Sequence, residues 1–200
     1  MSKTKWVSAA VIVGTSLVAS QAAMAYGAGD FFARGGFAQS NPEGDNGRAG
    51  GEQIDVSDEN GFTFGVGYLV HDKIGVELNS SEKIGHNLAM GSDSFGFDRQ
   101  PVNLMVNYYP LGGLNSKVQP YVGAGLNYTR FSGEPSGVDL QKSYGAAGQV
   151  GIDLAITKNV SLNGFANYAD VDSDIRESGS TIGRADVDPV TVGGGVTLHF

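Results

Sequence analysis

Residues 61–79, GFTFGVGYLVHDKIGVELN, show the pattern from which the rest of the architecture follows. Apolar or aromatic residues alternate with mostly small or polar ones, and the alternation resumes after the turn-like residues 71–73. One apolar face thus carries Phe62, Phe64, Val66, Tyr68, Val70, Ile74, Val76 and Leu78. Alternation with a period of two is typical of β-strands whose two faces meet different surroundings. The stretch therefore predicts a β-hairpin with one apolar face and one polar face.

The same alternation predicts six further strands. Three are clear, within residues 102–109, 150–156 and 190–200, and three are weaker, about Asp30 to Ser40, Val118 to Phe131 and Val160 to Val171. With the two strands of the hairpin this makes eight. We predict an all-β protein, an eight-stranded antiparallel up-and-down transmembrane β-barrel.

The links between these strands alternate strictly between short and long. The short links are 71–73, 110–117 and 157–159, and the long polar ones are Asn41 to Asn60, Ile84 to Asp98, Ser132 to Ser143 and Asp172 to Val187. Bacterial outer-membrane barrels have short periplasmic turns and long extracellular loops. We therefore expect four extracellular loops, with both chain ends on the periplasmic side.

The first 25 residues have the features of a cleavable signal peptide. Lys3 and Lys5 precede an apolar stretch from Trp6 to Ala19, and Ala23-Met24-Ala25 matches the pattern of a cleavage site. We predict a signal peptide at 1–25 and a mature outer-membrane barrel domain at 26–200. Cleavage leaves 11 basic and 21 acidic side chains, a net charge of −10, which disfavours nucleic-acid binding.

A soluble barrel with an inward apolar face is the structural alternative. Against it, the positions between the apolar ones are rich in Gly, Asn, Thr and Gln rather than in Lys and Glu. Aromatic residues near the predicted strand ends also suit the two interfacial girdles of a membrane barrel. They are Phe31, Phe37, Phe62, Tyr68, Tyr108, Tyr128 and Tyr168. We favour a monomeric barrel in the outer membrane of a Gram-negative bacterium, in contact with outer-membrane lipid and lipopolysaccharide.

Several motifs, in order, resemble the OmpW family of small outer-membrane proteins, which includes alkane-uptake members of the AlkL type. They are residues 28–34 (AGDFFAR), 61–68 (GFTFGVGY), 74–78 (IGVEL), 101–104 (PVNL), 108–110 (YYP), 120–128 (PYVGAGLNY), and Asp188-Pro189 with the terminal strand ending in Phe200. The resemblance implies an eight-stranded barrel for passive passage of small hydrophobic molecules across the outer membrane. Some members of the family also serve as receptors for bacteriocins, so the resemblance implies a receptor role as well.

Charged residues on the inward face suggest an ion network in the lumen. Arg34, Glu77 and Asp153 all fall on inward positions in the periplasmic half of the predicted barrel. Buried charges are tolerated when they are paired. The network either packs the lumen structurally or acts as a plug that stops polar leakage and sends apolar cargo sideways.

Apolar residues at inward positions suggest a route for such cargo. Leu69, Met105, Tyr109, Tyr121 and Phe165 either line a narrow apolar path or fill space. Proline cannot donate a hydrogen bond to a neighbouring strand. Pro101 therefore either marks the boundary of a loop or permits a lateral opening toward the bilayer.

The last strand suggests how the barrel is inserted. Val196, Leu198 and Phe200 share one face, as in the carboxyl-terminal signal read by the barrel assembly machinery, and we expect periplasmic chaperones to escort the chain. The runner-up function is a structural, adhesive or receptor role of the extracellular loops without transport. We expect no enzyme activity and no cofactor; His86, with Ser92, Asp93 and Ser94, is the weak enzymatic alternative, and the acidic loops suit solvation better than metal binding.

Overall fold

The computed structural model describes residues 27–41, 47–49, 52–56, 59–82, 84–90, 93–132, 138–140, 142–177, 180–186 and 188–200. Side chains are described for 27–41, 60–82, 98–132, 142–171 and 188–200. The predicted signal peptide at 1–25 lies outside the described residues, and its cleavage stays a prediction.

Eight long strands form the barrel wall. They are β1 (Phe31–Asn41), β4 (Glu59–His71), β5 (Ile74–Ser81), β7 (Asp93–Tyr108), β8 (Val118–Ser132), β10 (Ser143–Ala155), β11 (Val160–Ala169) and β14 (Val190–His199). Each pairs antiparallel with its neighbour along the chain, and β1 pairs with β14, which closes the sheet on itself. The predicted eight-stranded antiparallel barrel is confirmed.

The closing seam between β1 and β14 is rich in glycine. Gly36 lies opposite Gly195, and a Cβ atom on Gly36 would collide with the backbone of Gly194 and Gly195. At the end of the seam Phe31 and Phe200 exchange backbone hydrogen bonds of 3.4 and 2.9 Å. Close approach of the two backbones explains why glycine occupies this position.

Six shorter strands lie between the wall strands, in the regions predicted as long loops. They are β2 (Gly47–Ala49), β3 (Glu52–Val56), β6 (Ile84–Met90), β9 (Val138–Leu140), β12 (Asp172–Glu177) and β13 (Ser180–Asp186). They continue the sheet from β7 in the order β6, β3, β2, β13, β12, β9. We call them the collar, and we call the opposite end, where the short links lie, the turn end. The four regions predicted as long loops therefore contain paired strands, which the sequence analysis did not predict.

The two faces of the wall differ as the alternation predicts. Large apolar side chains lie exposed on the outer face, among them Val66, Leu78, Leu104, Val106, Val122, Leu126, Val150, Ile152, Leu162 and Val192. Asn, Gln, Ser and Thr dominate the buried inner positions. A soluble barrel would show the opposite arrangement, so the outer face suits lipid.

Aromatic side chains pair near both ends of the wall. Phe31 and Tyr68 lie 4.6 Å apart between ring centroids at the turn end, and Tyr128 and Tyr144 lie 5.0 Å apart near the collar. Such belts are typical of membrane barrels at the two lipid interfaces. Among the residues that the structure describes, none belongs to a helix long and apolar enough to cross a membrane.

Candidate functional site in the barrel lumen

Arg34 of β1 lies at the centre of a buried ion cluster in the half of the barrel nearer the turn end. Its Nη1 donates to Glu77 Oε2 of β5 at 2.7 Å, and its Nη2 donates to Asp153 Oδ2 of β10 at 2.7 Å. These short distances are those of charge-assisted hydrogen bonds. The three residues come from strands on different sides of the barrel, so the cluster spans the lumen. We call Arg34, Glu77 and Asp153 the lumen floor.

Neutral side chains complete the bonding of the two carboxylates. Asn107 donates to Glu77 Oε2 at 2.7 Å, and Gln149 donates to the same oxygen at 3.3 Å. Asn163 and Thr197 donate to Asp153 Oδ1 at 2.8 and 3.3 Å. A buried ion cluster persists only when its lone pairs and protons are satisfied, and these amides and this hydroxyl provide that.

Two aromatic rings hold the Arg34 guanidinium between them. Its Cζ lies 4.7 Å from the ring centroid of Phe32 and 4.7 Å from that of Tyr121. Such contacts with ring faces favour a cation. The rings and the carboxylates therefore fix the guanidinium in one place and close the lumen around it.

The apolar residues predicted to line a path do not form one path. Leu69, Tyr109 and Tyr121 pack together as a buried cluster, and Met105 is also fully buried. Of the five residues only Tyr121 and Phe165 line the cavity described below. Leu69, Met105 and Tyr109 instead fill space, which thickens the floor.

Glycines make room for the large residues of the floor. A Cβ atom on Gly151 would collide with the ring of Tyr121, and one on Gly67 would collide with the ring of Phe32. Alanine at either position would force one of the two rings beside Arg34 to move. Glycine is therefore part of how this sequence builds the floor.

A partly open cavity of about 80 Å³ lies between the lumen floor and the collar. Its lining includes Arg34 and Tyr121 below and Ser40 and Arg99 nearer the collar. Both apolar and polar residues line it; the apolar ones include Ala38, Phe165, Ala169, Val171, Pro101 and Pro189, and the polar ones include Asn79, Ser81, Asn103, Asn127, Asn167 and Thr191. The lumen therefore combines a closed floor with a partly open chamber.

Pro101 lies in the wall of this cavity. Pairing between β5 and β7 ends at Ser80 and Val102. On this side of β7, pairing resumes only with β6, at Ile84 and Arg99. Ser80 Oγ donates to the Pro101 carbonyl at 2.6 Å. Because N–H and C=O of one residue in an antiparallel ladder point to the same neighbour, the donor that proline lacks is on the β5 side. Since β7 runs from Asp93, Pro101 lies inside the strand and does not mark its end.

Asparagines form a row on the wall of the cavity that sequence reasoning did not single out. Asn127 donates to Asn103 at 2.6 Å, Asn103 donates to Asn79 at 2.8 Å, and Thr129 donates to Asn127 at 2.7 Å. Asn79 lies two residues from Glu77 on β5, and Asn103 lies two residues from Met105 on β7, so both fall on the inward face. This spacing is the signal that would have identified them. This row ties β5, β7 and β8 together from inside.

The residues of the predicted assembly signal lie on the lipid-facing side of the last strand. Val196 and Leu198 are more than one-third exposed, and Phe200 is 73% exposed. Pairing of β14 with both β1 and β11 places this face at the closing seam. The side chains of the enzymatic alternative, His86, Ser92, Asp93 and Ser94, lie outside the described residues.

A closed barrel of eight antiparallel strands, with apolar side chains outside and polar and charged side chains inside, defines the class of small outer-membrane barrels. A sequence model of the OmpW family matches residues 27–200. Outer membrane protein W of Escherichia coli (strain K12) is 35% identical over 185 residues, 84% of this chain and 85% of that protein. The chain belongs to the OmpW family, and it resides in the outer membrane of a Gram-negative bacterium, as its sequence predicts.

Solved structures show the same barrel. The crystal structure of OprG from Pseudomonas aeruginosa has a TM-score of 0.77 at 29% identity, covering 88% of this chain and 99% of that one. The solution structure of E. coli outer membrane protein W has a TM-score of 0.61 at 30% identity, covering 87% and 99%. AlkL in lipid bilayers has a TM-score of 0.66 at 22% identity, covering 94% and 97%, and supports the fold alone.

Proposed function

We propose that small hydrophobic molecules enter this barrel from the outer surface of the outer membrane and leave it sideways into the bilayer. The molecule enters at the collar end, occupies the cavity and leaves through the wall beside Pro101. Passage is passive and requires neither a catalytic group nor a cofactor. This is the transport role that the family resemblance implies, joined to the route that the lumen geometry favours.

The observation that carries the proposal is the position of the cavity relative to the lumen floor. Arg34, Glu77 and Asp153 close the axis, and the packed Leu69, Tyr109 and Tyr121 lie close to them. An eight-stranded barrel is only wide enough for side chains to fill it. Cargo that reaches the cavity therefore has no axial exit, which supports a lateral one.

The wall beside Pro101 is where that exit is least obstructed. Between the end of β5 at Ser81 and the start of β6 at Ile84, the ladder to β7 is interrupted. Separating strands there breaks few backbone hydrogen bonds, because the pairing is already interrupted. An apolar molecule faces no penalty on entering hydrocarbon, whereas a polar one does.

Substitution of Pro101 by valine tests this route. Valine supplies the missing N–H on the β5 side, so we expect the wall to close and uptake of an apolar dye to fall several-fold. Pro120→Val is the matched control, because Pro120 lies in β8 near the turn end and does not line the cavity. Uptake is measured as fluorescence of N-phenylnaphthylamine in cells producing equal amounts of folded barrel.

Unchanged dye uptake in Pro101→Val would remove the lateral route. Equal uptake by cells with and without the barrel would remove the transport function itself. A small polar dye, measured in parallel, should be excluded by every variant that keeps the lumen floor.

The second candidate function is a structural, adhesive or receptor role. The hydrogen-bonded collar strands favour it, because they give the extracellular end a defined backbone surface. Deleting the collar strands β12 and β13 separates the two functions. A receptor then loses its partner, whereas a conduit keeps its lumen floor and the wall beside Pro101.

We further propose that the chain works as a monomer, since its own strands close the sheet. Insertion by the barrel assembly machinery after escort by periplasmic chaperones, and contact of the collar with lipopolysaccharide, belong to the same proposal. The exposed aromatic and aliphatic face of β14 supports it, because the last strand must present an apolar surface to lipid while it pairs with β1.

A further inference from the structure

Arg99 of β7 is a buried cation, and none of the side chains that the structure describes forms an ion pair with it. The residue is 2% exposed, and it extends across the lumen so that Nη2 donates to Ser40 Oγ of β1 at 2.8 Å. Within the described part of the chain, its Nε and Nη1 have no hydrogen-bond partner. A buried guanidinium left this way is costly, because its lost hydration is only partly replaced.

A second unused donor faces the same cavity. Asn167 Nδ2 of β11 is buried and has no partner among the described groups, and both Asn167 and Arg99 line the cavity. Ser40, Thr191 and Asn167 are successive partners across β1, β14 and β11, so they lie in one row. Arg99 reaches the first member of that row from the opposite wall.

The cavity offers donors but lacks a free acceptor of matching charge. Of its described lining residues only Glu77 carries a carboxylate, and Arg34, Asn107 and Gln149 already engage it. Ser40 accepts from Arg99 and also from Thr191, at 3.4 Å. An added group that satisfies Arg99 and Asn167 must therefore bring its own oxygen acceptors.

The remaining walls suit an apolar body attached to that group. Ala38, Phe165, Ala169 and Val171 line the cavity between the lumen floor and the collar. Its volume of about 80 Å³ exceeds the ~10–15 Å³ that one water needs and is smaller than the ~150 Å³ of a cavity that takes benzene. The cavity therefore holds a small headgroup and the adjoining carbons, with the rest of the molecule extending through its open side.

We propose that Arg99 and Asn167 form a binding site for the carboxylate of a small apolar acid, so that the cargo of this barrel includes amphiphilic anions as well as neutral hydrocarbons. The inference rests on the proposed transport function and extends its substrate class to amphiphilic anions. Besides its bond to Ser40, Arg99 can give a carboxylate two parallel hydrogen bonds, from the second N–H of Nη2 together with Nε or Nη1, and a neutral hydroxyl offers no such pair of acceptors. The apolar body then lies against Phe165 and Ala169.

Binding of hexanoate and hexanol to the mature barrel in detergent micelles tests the site, because the two probes differ only in the headgroup. We expect hexanoate to bind more tightly to the wild type, and Arg99→Gln to weaken hexanoate by about tenfold or more while leaving hexanol unchanged. Arg99→Lys should keep part of the preference, and Asn167→Ala should reduce it. Arg130→Gln is the matched control, since Arg130 is an exposed arginine on β8.

Isothermal calorimetry measures the affinities, and heat-dependent gel mobility shows that each variant is folded. Equal affinities for the two probes, or hexanoate binding that is insensitive to Arg99 and Asn167, overturns the proposal. If Arg99→Gln does not fold, Asn167→Ala and Arg99→Lys decide the question. Uptake of N-phenylnaphthylamine by cells with and without the barrel tests the transport function separately, so absence of a preference for hexanoate with intact dye uptake overturns only the assignment of this site.

Discussion

Arg34 shows how one side chain determines what the lumen excludes. Its guanidinium binds carboxylates from β5 and β10 and lies near two aromatic rings, from β1 and β8. Side chains of four strands therefore meet at this group. A polar solute would have to displace these contacts to pass. An apolar solute offers nothing in exchange for them, so we propose that neither has an axial route.

Replacing Arg34 with methionine should destabilise the barrel strongly. The change keeps an extended side chain but leaves Glu77 and Asp153 buried and without their cation. Breaking a buried pair by removing one partner costs about 3–5 kcal/mol. Urea unfolding in lipid vesicles measures the loss of unfolding free energy.

Arg130→Met is the control for that substitution, because Arg130 is exposed and its loss leaves no buried charge. Its unfolding free energy should stay within about 0.5 kcal/mol of the wild type. Equal destabilisation by the two substitutions would show that the lumen floor contributes no more to the free energy of unfolding than an exposed arginine does.

Gly151→Ala should disturb the floor without removing any charge. The added methyl group collides with the ring of Tyr121, which supports Arg34. Overpacking of this kind costs about 1–3 kcal/mol. Gly148→Ala on the same strand is the matched control, since the nearest atom to its Cβ would lie 4.0 Å away. Urea midpoints that are the same for both variants would contradict the packing argument.

Single positions also show what alternation reveals and what it leaves open. Parity alone places Arg34, Glu77 and Asp153 on the inner face, but which inner residues touch depends on register and shear, which parity does not encode. Arg99 has the same parity as Asn103 and Met105 and was still missed. The alternation predicts this strand only within residues 102–109, and a proline at 101 is typical of a strand boundary, so Arg99 falls outside the predicted strand.

Among the strands, β14 closes the barrel. It pairs with β1 on one side and β11 on the other, and its outer face is apolar. The eight wall strands were predictable because each has one face in lipid and one in the lumen. The collar strands were not, because the pairing of β13 with β2 and of β3 with β6 joins distant segments, which alternation does not reveal.

Deleting Phe200 should lower the yield of assembled barrel. Phe200 donates to the Phe31 carbonyl at 2.9 Å, and its ring faces outward, so the deletion removes both closing hydrogen bonds and part of the apolar face. Gel mobility of unheated membrane fractions measures the assembled share. Phe37→Ala removes another exposed outer ring and serves as the control; a yield as low as that of the deletion would assign the loss to aromatic area rather than to the closing strand.

The barrel as a whole is organised by its contact with hydrocarbon. Leu78, Leu104 and Leu126 are cross-strand partners, and all three are exposed on the outer face. In water such a row would be an aggregation site. In a bilayer it is the surface that keeps the barrel in place.

Leu104→Lys should therefore destabilise the barrel in vesicles by about 2–4 kcal/mol, the cost of lysine in the middle of the bilayer. Leu114→Lys, in the link at the turn end, should cost no more than about 1 kcal/mol, because a charge near the interface reaches water. Urea unfolding compares the two. Equal and small effects would contradict a lipid-facing position for Leu104.

The glycine-lined seam between β1 and β14 has a consequence for the order in which the molecule is made. These two strands are the most distant in the chain, yet neither has a complete set of partners until they meet. A ribosome synthesises β1 before β14, so the barrel cannot close until β14 has been made. The polypeptide must travel as an open ribbon, and it acquires its final shape only after the last glycine of the seam has been synthesised.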